Sequence, residues 1–311
     1  MSDVLILGPQ YRTPNLRQAL AGAGLHGPIA TITAGWQERE GELGALEEHL
    51  GQRVRDLRLY ERAEGLFGRD PALHEAYRQR QADLRRLQEI YRARLDHAKA
   101  AARELLARPD ESEILRWARR DAVAALRRLD ATHLRMIERV HERFMARWSA
   151  ALRPLVAQQE AEIKHLIDES GVVCIAGGHV AVLLNRLRLF GLRGLLRGKP
   201  LVAWSAGAMA LTERVVLFHD HPPQGAGNAE VFEAGLGLIQ RTVLLPHAAT
   251  RLALNDSARV ALFARRFSPA ACRTLDDGSV LHWRRGRLRT VAASSRLLRT
   301  GRAAATEVAH E

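Results

Sequence analysis

The sequence predicts an α/β protein, a mostly parallel sheet with helices on both faces, interrupted by a long α-helical hairpin. Two observations carry this: short apolar runs alternate with amphipathic segments at both ends of the 311 residues, and a stretch of about 80 residues between them switches to helical periodicity throughout.

VLILG (residues 4–8) is an apolar run suited to a buried strand, TPNLRQALAGAG a helix ending in glycine, and PIATITAG a second, β-branched strand. EGELGALEEHLG predicts an amphipathic helix stopped at Gly51, and RVRDLRLYE (53–61) alternates as a third strand. Residues 1–69 therefore read as the first part of an α/β domain.

Over residues 70–153 the period changes. Tyr77, Leu84, Tyr91, Ala98 and Leu105 recur every seven residues, forming one stripe of a long helix. Pro109 breaks it, and Asp110 with Glu113 three residues on predicts the capped start of a second helix. That helix carries Leu115, Ala118, Ala122, Leu126, Leu129, Ile137, Val140, Phe144 and Trp148 on its apolar side. Two long helices joined by a tight turn form an antiparallel hairpin, and His133 and His141 on or beside the stripe read as packed residues.

From Pro154 the α/β pattern returns: a helix over 155–168, the strand GVVCIAGG, a helix at VAVLLNRLRLF, the strand KPLVAW, and a helix opening at Ser205. TVLLPH, SARVALFARRF, SVLHW and LRTVA supply a further strand, a helix and two short strands. The second part of the α/β domain thus spans 154–295, and residues 296–311 read as a disordered tail.

The formal charge of +12 raises nucleic-acid binding, yet lysine occurs only at Lys99, Lys164 and Lys199, and Arg and Glu interleave along the hairpin as on a solvated helix surface. The composition disfavours a nucleic-acid partner. No window reaches the roughly eighteen uninterrupted apolar residues of a membrane span, and MSDVLILGPQ lacks a basic segment before an apolar one, so a cytoplasmic protein is expected. Cys174 and Cys272 are too few for a disulfide framework or a zinc site and read as buried small hydrophobes.

The chemistry gathers around LVAWSAGAMA (201–210). An apolar strand running through Ser205 into a helix has the form of a nucleophile elbow, although Ala203 stands where the first glycine of G-x-S-x-G is usual. A serine nucleophile needs a base and a group to orient that base. His247, in LLPHAATRL, follows an apolar strand, and Asp276 and Asp277, in TLDDGSVLHW, occupy a turn at a strand boundary. His219 and His221 form H-x-H with no third nearby ligand, and GAGN lacks the Lys-Ser/Thr of a phosphate loop, so neither a metal nor another cofactor is expected.

With CIAGGH, VAWSAGAMAL, AGLGLIQRTVLLPHAATRL and LDDGSVL on one chain, in that order, the sequence resembles the serine peptidase family that includes dipeptidase E (aspartyl dipeptidase) and cyanophycinase, whose fold is similar to class I glutamine amidotransferases. The resemblance spans about residues 171–285, with weaker agreement over 3–61, and the hairpin has no counterpart in it. It implies Ser205 as nucleophile, His247 as general base, Asp277 as orienting acid, and the N–H groups of Gly178 and Ala206 as oxyanion donors beside Gly177. Asp277 stands where a glutamate is usual, leaving Asp276 and Asp220 as alternative acids. His179 follows the glycines in place of a small or amide residue, and Arg251 is placed to pair with a substrate carboxylate. The expected function is acyl-enzyme hydrolysis of a peptide, isopeptide or amide bond in a small substrate. The alternative is a catalytically altered scaffold, with residues 70–153 as docking arm for a protein partner or a second copy.

Overall fold

The computed structural model describes residues 2–218 and 229–305. The chain opens with β1 (Val4–Leu7), α1 (Leu16–Ala23), β2 (Ile29–Ile32), α2 (Gly44–Leu50), β3 (Arg55–Asp56) and α3 (Leu59–Arg69), followed by the long helices α4 (Pro71–Ala107) and α5 (Glu113–Trp148). It resumes with α6 (Pro154–Asp168), β4 (Val172–Ile175), α7 (Val180–Leu189), α8 (Leu192–Leu195), β5 (Leu201–Trp204), α9 (Ala206–Leu211), β6 (Val215–Leu217) and β7 (Glu230–Glu233). The remaining elements are β8 (Thr242–Pro246), α10 (Ala248–Arg251), α11 (Ser257–Phe267), β9 (Ala271–Leu275), β10 (Val280–Arg284), β11 (Arg287–Ala292), β12 (Ser295–Leu297) and β13 (Ala303–Ala305).

The central sheet has the order β11-β10-β1-β5-β4-β2-β3. β1, β5, β4, β2 and β3 run parallel, and β10 and β11 close one edge antiparallel. Side chains alternate between faces as the strand period demands. Val4, Ile6, Val173, Ile175, Leu201 and Ala203 enter the larger core. Leu5, Leu7, Cys174, Val202 and Trp204 enter a smaller one closed by Leu16, Leu20 and Leu50 of α1 and α2. Both faces of the strands are covered, which is why they read as continuous apolar runs. A second sheet, β13-β12-β9-β8, has β8 and β9 parallel, and β6 pairs with β7 antiparallel. Cys174 and Cys272 are buried free cysteines, their thiols pushed up to about 12 by desolvation.

Three local expectations are corrected. The third strand, expected over 53–61, is only Arg55–Asp56, because Leu59, Ala63, Leu66 and Phe67 follow helical spacing and bury one face of α3. The start of α5 is capped by Ser112, whose hydroxyl accepts from Leu115 N–H at 3.3 Å; Asp110 instead accepts from Ser112 N–H at 2.8 Å, shaping the turn before the helix. The tail from residue 296 does not fray at once, since Ser295–Leu297 pairs with both β9 and Ala303–Ala305. Residues 306–311 lie outside the described residues.

The hairpin forms as expected, with Asp70 capping α4 through Leu73 N–H at 3.0 Å and Pro71 in its first turn. Its buried stripe also takes in polar groups: Arg80, Gln88 and Lys99 on α4, and Asp130, His133 and His141 on α5. These tie it to the body. The Tyr91 hydroxyl donates to Asp130 at 2.7 Å and accepts from Val231 N–H at 3.1 Å. Arg266 of α11 grips the Asp130 carboxylate at 2.8 and 2.7 Å, and Arg92 reaches Glu230 at 2.6 Å. His133 stacks on Tyr91 with centroids 4.0 Å apart, and His141 meets Glu233 at 2.7 Å. Both histidines are packed residues. Among the described residues no helix is long and apolar enough to cross a membrane.

Candidate active site

Strand registers bring one row of residues to the carboxyl edge of the central sheet. Ile32 pairs with Ile175 and Ile175 with Ala203, so Ala34, Gly177 and Ser205 stand side by side two residues further on. Leu7 pairs with Trp204, which sets Gly8 beside Ser205 on its other flank. This edge of an open α/β sheet is where chain turns cluster and ligands are received.

Ser205 leaves β5 with φ 49° and ψ −121°, a region costly for any residue with a Cβ, and its side chain makes no capping bond to α9. A plain helix cap is extended and uses its hydroxyl on the helix, and Ser205 does neither. The neighbouring glycines are required by space. A Cβ on Gly177 would stand 2.8 Å from Ser205 Cβ, and one on Gly207 would stand 2.2 Å from the Ile175 carbonyl oxygen.

His247 and the acidic turn arrive from the second sheet. β8 and β9 run in parallel register to Pro246 and Leu275, so His247 and Asp276 emerge side by side, and His247 N–H donates to Leu275 O at 2.9 Å. The turn is then pinned to the central sheet: Gly8 N–H donates to Ser279 O at 2.9 Å, and a Cβ on Gly8 would stand 1.9 Å from Asp276 O. The acidic turn is thereby held against Gly8, the residue that follows β1, with His247 next to it.

The His247 imidazole is kept below the ordinary histidine value, first by desolvation and then by the Arg251 guanidinium, with Asp277 and Asp276 acting in the opposite sense. It is therefore neutral at neutral pH, the form that can accept a proton. Asp276 spends one carboxylate oxygen on Ala249 N–H at 2.8 Å, holding α10 just after His247, whereas Asp277 is exposed. Among the described residues no hydrogen bond links the Ser205 hydroxyl, the His247 ring and either carboxylate. Asp220, His219 and His221 lie outside the described residues.

Of the other expected site residues, His179 turns inward on its own helix: its Nδ1 accepts from Val182 N–H at 3.3 Å, capping α7. Its backbone N–H is used by Gly35 O at 2.7 Å. Gly178, at φ 113°, lies in the glycine turn directly before it. Arg251 is half-buried at the end of α10, pushed down by desolvation, with no ion pair among the described residues. Sequence reasoning overlooked Gly8 and Gly35, the turns leaving β1 and β2. The signal was present, since LILG and ITAG repeat the strand-then-glycine pattern of CIAGG.

Among the described residues no group of three His, Cys, Asp or Glu side chains could hold a metal ion. A groove of about 330 Å³ between α3, α4 and α7, lined by Glu64, Tyr77, Gln81, Arg85 and Arg186 among others, contains none of the site residues.

A family model described as peptidase family S51 matches residues 130–291, just over half of the chain and all of the motifs around Ser205, His247 and Asp277. No curated protein matches. Among solved structures, the chain is similar to the crystal structure of a peptidase from an acI-B1 Actinobacterium, at 13% identity over 98% of this chain and 97% of that chain, with a TM-score of 0.47.

Proposed function

The chain belongs to peptidase family S51 and is a serine peptidase, and on that premise we propose that it cleaves its substrate through an acyl-enzyme on Ser205. The observation that supports this most is the backbone of Ser205, strained at the sheet edge with its hydroxyl spent on no cap. In this reading His247 takes the Ser205 proton as the oxygen attacks the scissile carbonyl. Asp277 faces the resulting imidazolium, since Asp276 already serves Ala249 N–H. The tetrahedral oxyanion is received by the N–H groups of Gly178 and Ala206. His247 returns the proton to the leaving amine, and water, deprotonated by the same imidazole, releases the acyl group.

The substrate is a small peptide or isopeptide. Arg251, half-buried and without a carboxylate partner among the described residues, is suited to bind one on the substrate. The assignment of roles is tested by peptide hydrolysis with Ser205→Ala, His247→Ala, Asp277→Ala and Asp276→Ala. The first two are expected to lose at least 10³-fold in kcat/KM. Asp277→Ala is expected to lose more activity than Asp276→Ala, and the reverse order moves the acid role to Asp276.

A further inference from the structure

The turn leaving β2 holds a second strained residue, Gln37, whose φ 60° and ψ −124° nearly repeat the 49° and −121° of Ser205. A residue with a Cβ persists there only where its surroundings over-determine it, and such positions gather at binding and catalytic sites. Here the surroundings are three backbone bonds. Trp36 N–H donates to Thr33 O at 2.7 Å, Glu40 N–H to Gln37 O at 2.8 Å, and His179 N–H to Gly35 O at 2.7 Å.

The same turn leans on the nucleophile through the glycines. A Cβ on Gly35 would stand 2.6 Å from Gly177 O and 3.3 Å from Gly178 Cα, and Gly177 itself lies against Ser205 Cβ. Gln37 is two residues from Gly35, so their Cα atoms are at most about 7.6 Å apart. Gly35 abuts Gly177, which lies against Ser205, so Gln37 stands beside the same glycine turn as the serine.

The other side chains of the turn are engaged. Trp36 packs into the smaller core, Glu38 accepts the Tyr60 hydroxyl at 2.8 Å, Arg39 donates to Glu42 at 2.8 Å, and Glu40 accepts Glu61 N–H at 2.8 Å. Gln37 is half-buried, and its carboxamide hydrogen-bonds to nothing among the described residues. A position serving only the turn would favour glycine, which adopts this conformation without penalty. A carboxamide offers a donor and an acceptor side by side, the complement of a peptide group.

We propose that Gln37 is a substrate-binding residue of the Ser205 site, its carboxamide pairing with a peptide group of the bound substrate on the β2 side of the scissile bond. This rests on the serine peptidase reading of Ser205. The test compares the rates at which a dipeptidyl diphenyl phosphonate, which carries peptide groups, and an alkyl diphenyl phosphonate, which has the same reactive group and no peptide, modify Ser205 in the wild type, Gln37→Ala and Gln37→Gly. The wild type is expected to prefer the dipeptidyl probe, and the ratio of the two rates to fall at least tenfold in both variants. Gln37→Gly is expected to unfold at a higher temperature than Gln37→Ala. A ratio unchanged within twofold, a wild type with no preference, or a glycine variant no more stable than the alanine variant overturns the proposal. A wild type that takes neither probe at Ser205 refutes the serine peptidase reading itself, and this proposal with it.

Discussion

Replacing Asp130 by alanine probes what holds the helical hairpin to the body of the protein. Its carboxylate accepts from Arg266 Nε at 2.8 Å, Arg266 Nη2 at 2.7 Å and the Tyr91 hydroxyl at 2.7 Å. Arg266 also donates to Ala229 O at 2.6 Å, and both ionic side chains are at most 3% exposed. Three charge-assisted bonds at about 1.5–3 kcal/mol each set an upper bound, but truncating one member of a buried ion pair typically costs about 3–5 kcal/mol, and that lower figure is the expectation. At about 2–4 °C per kcal/mol for a large domain, the unfolding midpoint falls by roughly 6–20 °C. The assay is urea and thermal unfolding of the full chain, with the double variant Asp130→Leu, Arg266→Met as control. Removing both charges together is expected to recover at least about 2 kcal/mol of the loss, because most of the single-variant cost is an uncompensated buried guanidinium. An Asp130→Ala cost below about 1 kcal/mol, or a double variant as unstable as the two single losses combined, refutes the reasoning.

Further expectations follow from the same geometry. Because His247 is held below 6.5 by desolvation and by Arg251, kcat/KM should rise with pH along an acid limb lying under pH 6.5. Arg251→Met should move that limb upward and Asp277→Asn downward; a limb unmoved by either contradicts the assignment. His133 is driven from 6.5 to about 4, chiefly by desolvation, so between those pH values the unfolded chain binds more protons than the folded one. Stability should be complete above pH 6.5 and decline by up to about 3 kcal/mol as pH falls to 4, with the decline blunted in His133→Phe. Arg80 is 3% exposed, sits 4.5 and 4.1 Å from the Tyr77 and Phe144 ring centroids, and among the described residues has no hydrogen-bond partner for any guanidinium nitrogen. Arg80→Met should therefore stabilise the fold by about 1–2 kcal/mol in urea unfolding, and a loss of more than about 1 kcal/mol counts against that reading.

What was legible in the sequence is what local pattern controls. The sheet strands are buried on both faces and show as apolar runs, and the tight turn at Ser205 shows because a strand meets the serine and a close-packed Gly207 within a few residues. RVRDLRLYE misled because its alternation overlaps the helical spacing that begins at Leu59, and the longer pattern won. Asp110 and Ser112 are both competent caps, and only the geometry of the turn selects the serine. The polar half of the hairpin interface was hidden for a different reason. Arg266 meets Asp130 across 136 positions and Gln88 meets Glu230 across 142, distances at which no sequence period operates. The same holds for the acid of the site. Asp276 and Asp277 are adjacent in sequence, and what separates them is an N–H on α10 that one of them receives.

The central claim is that Ser205 is the nucleophile, and covalent labelling tests it most directly. The full-length protein is incubated with an alkyl fluorophosphonate at pH 7.5 and the adduct is mapped by peptide mass spectrometry, with folded Ser205→Ala beside it. A single phosphonyl adduct on Ser205, absent from the alanine variant and slowed in His247→Ala, is the predicted result. An unmodified Ser205 in folded wild-type protein, or equal labelling of the alanine variant, contradicts it.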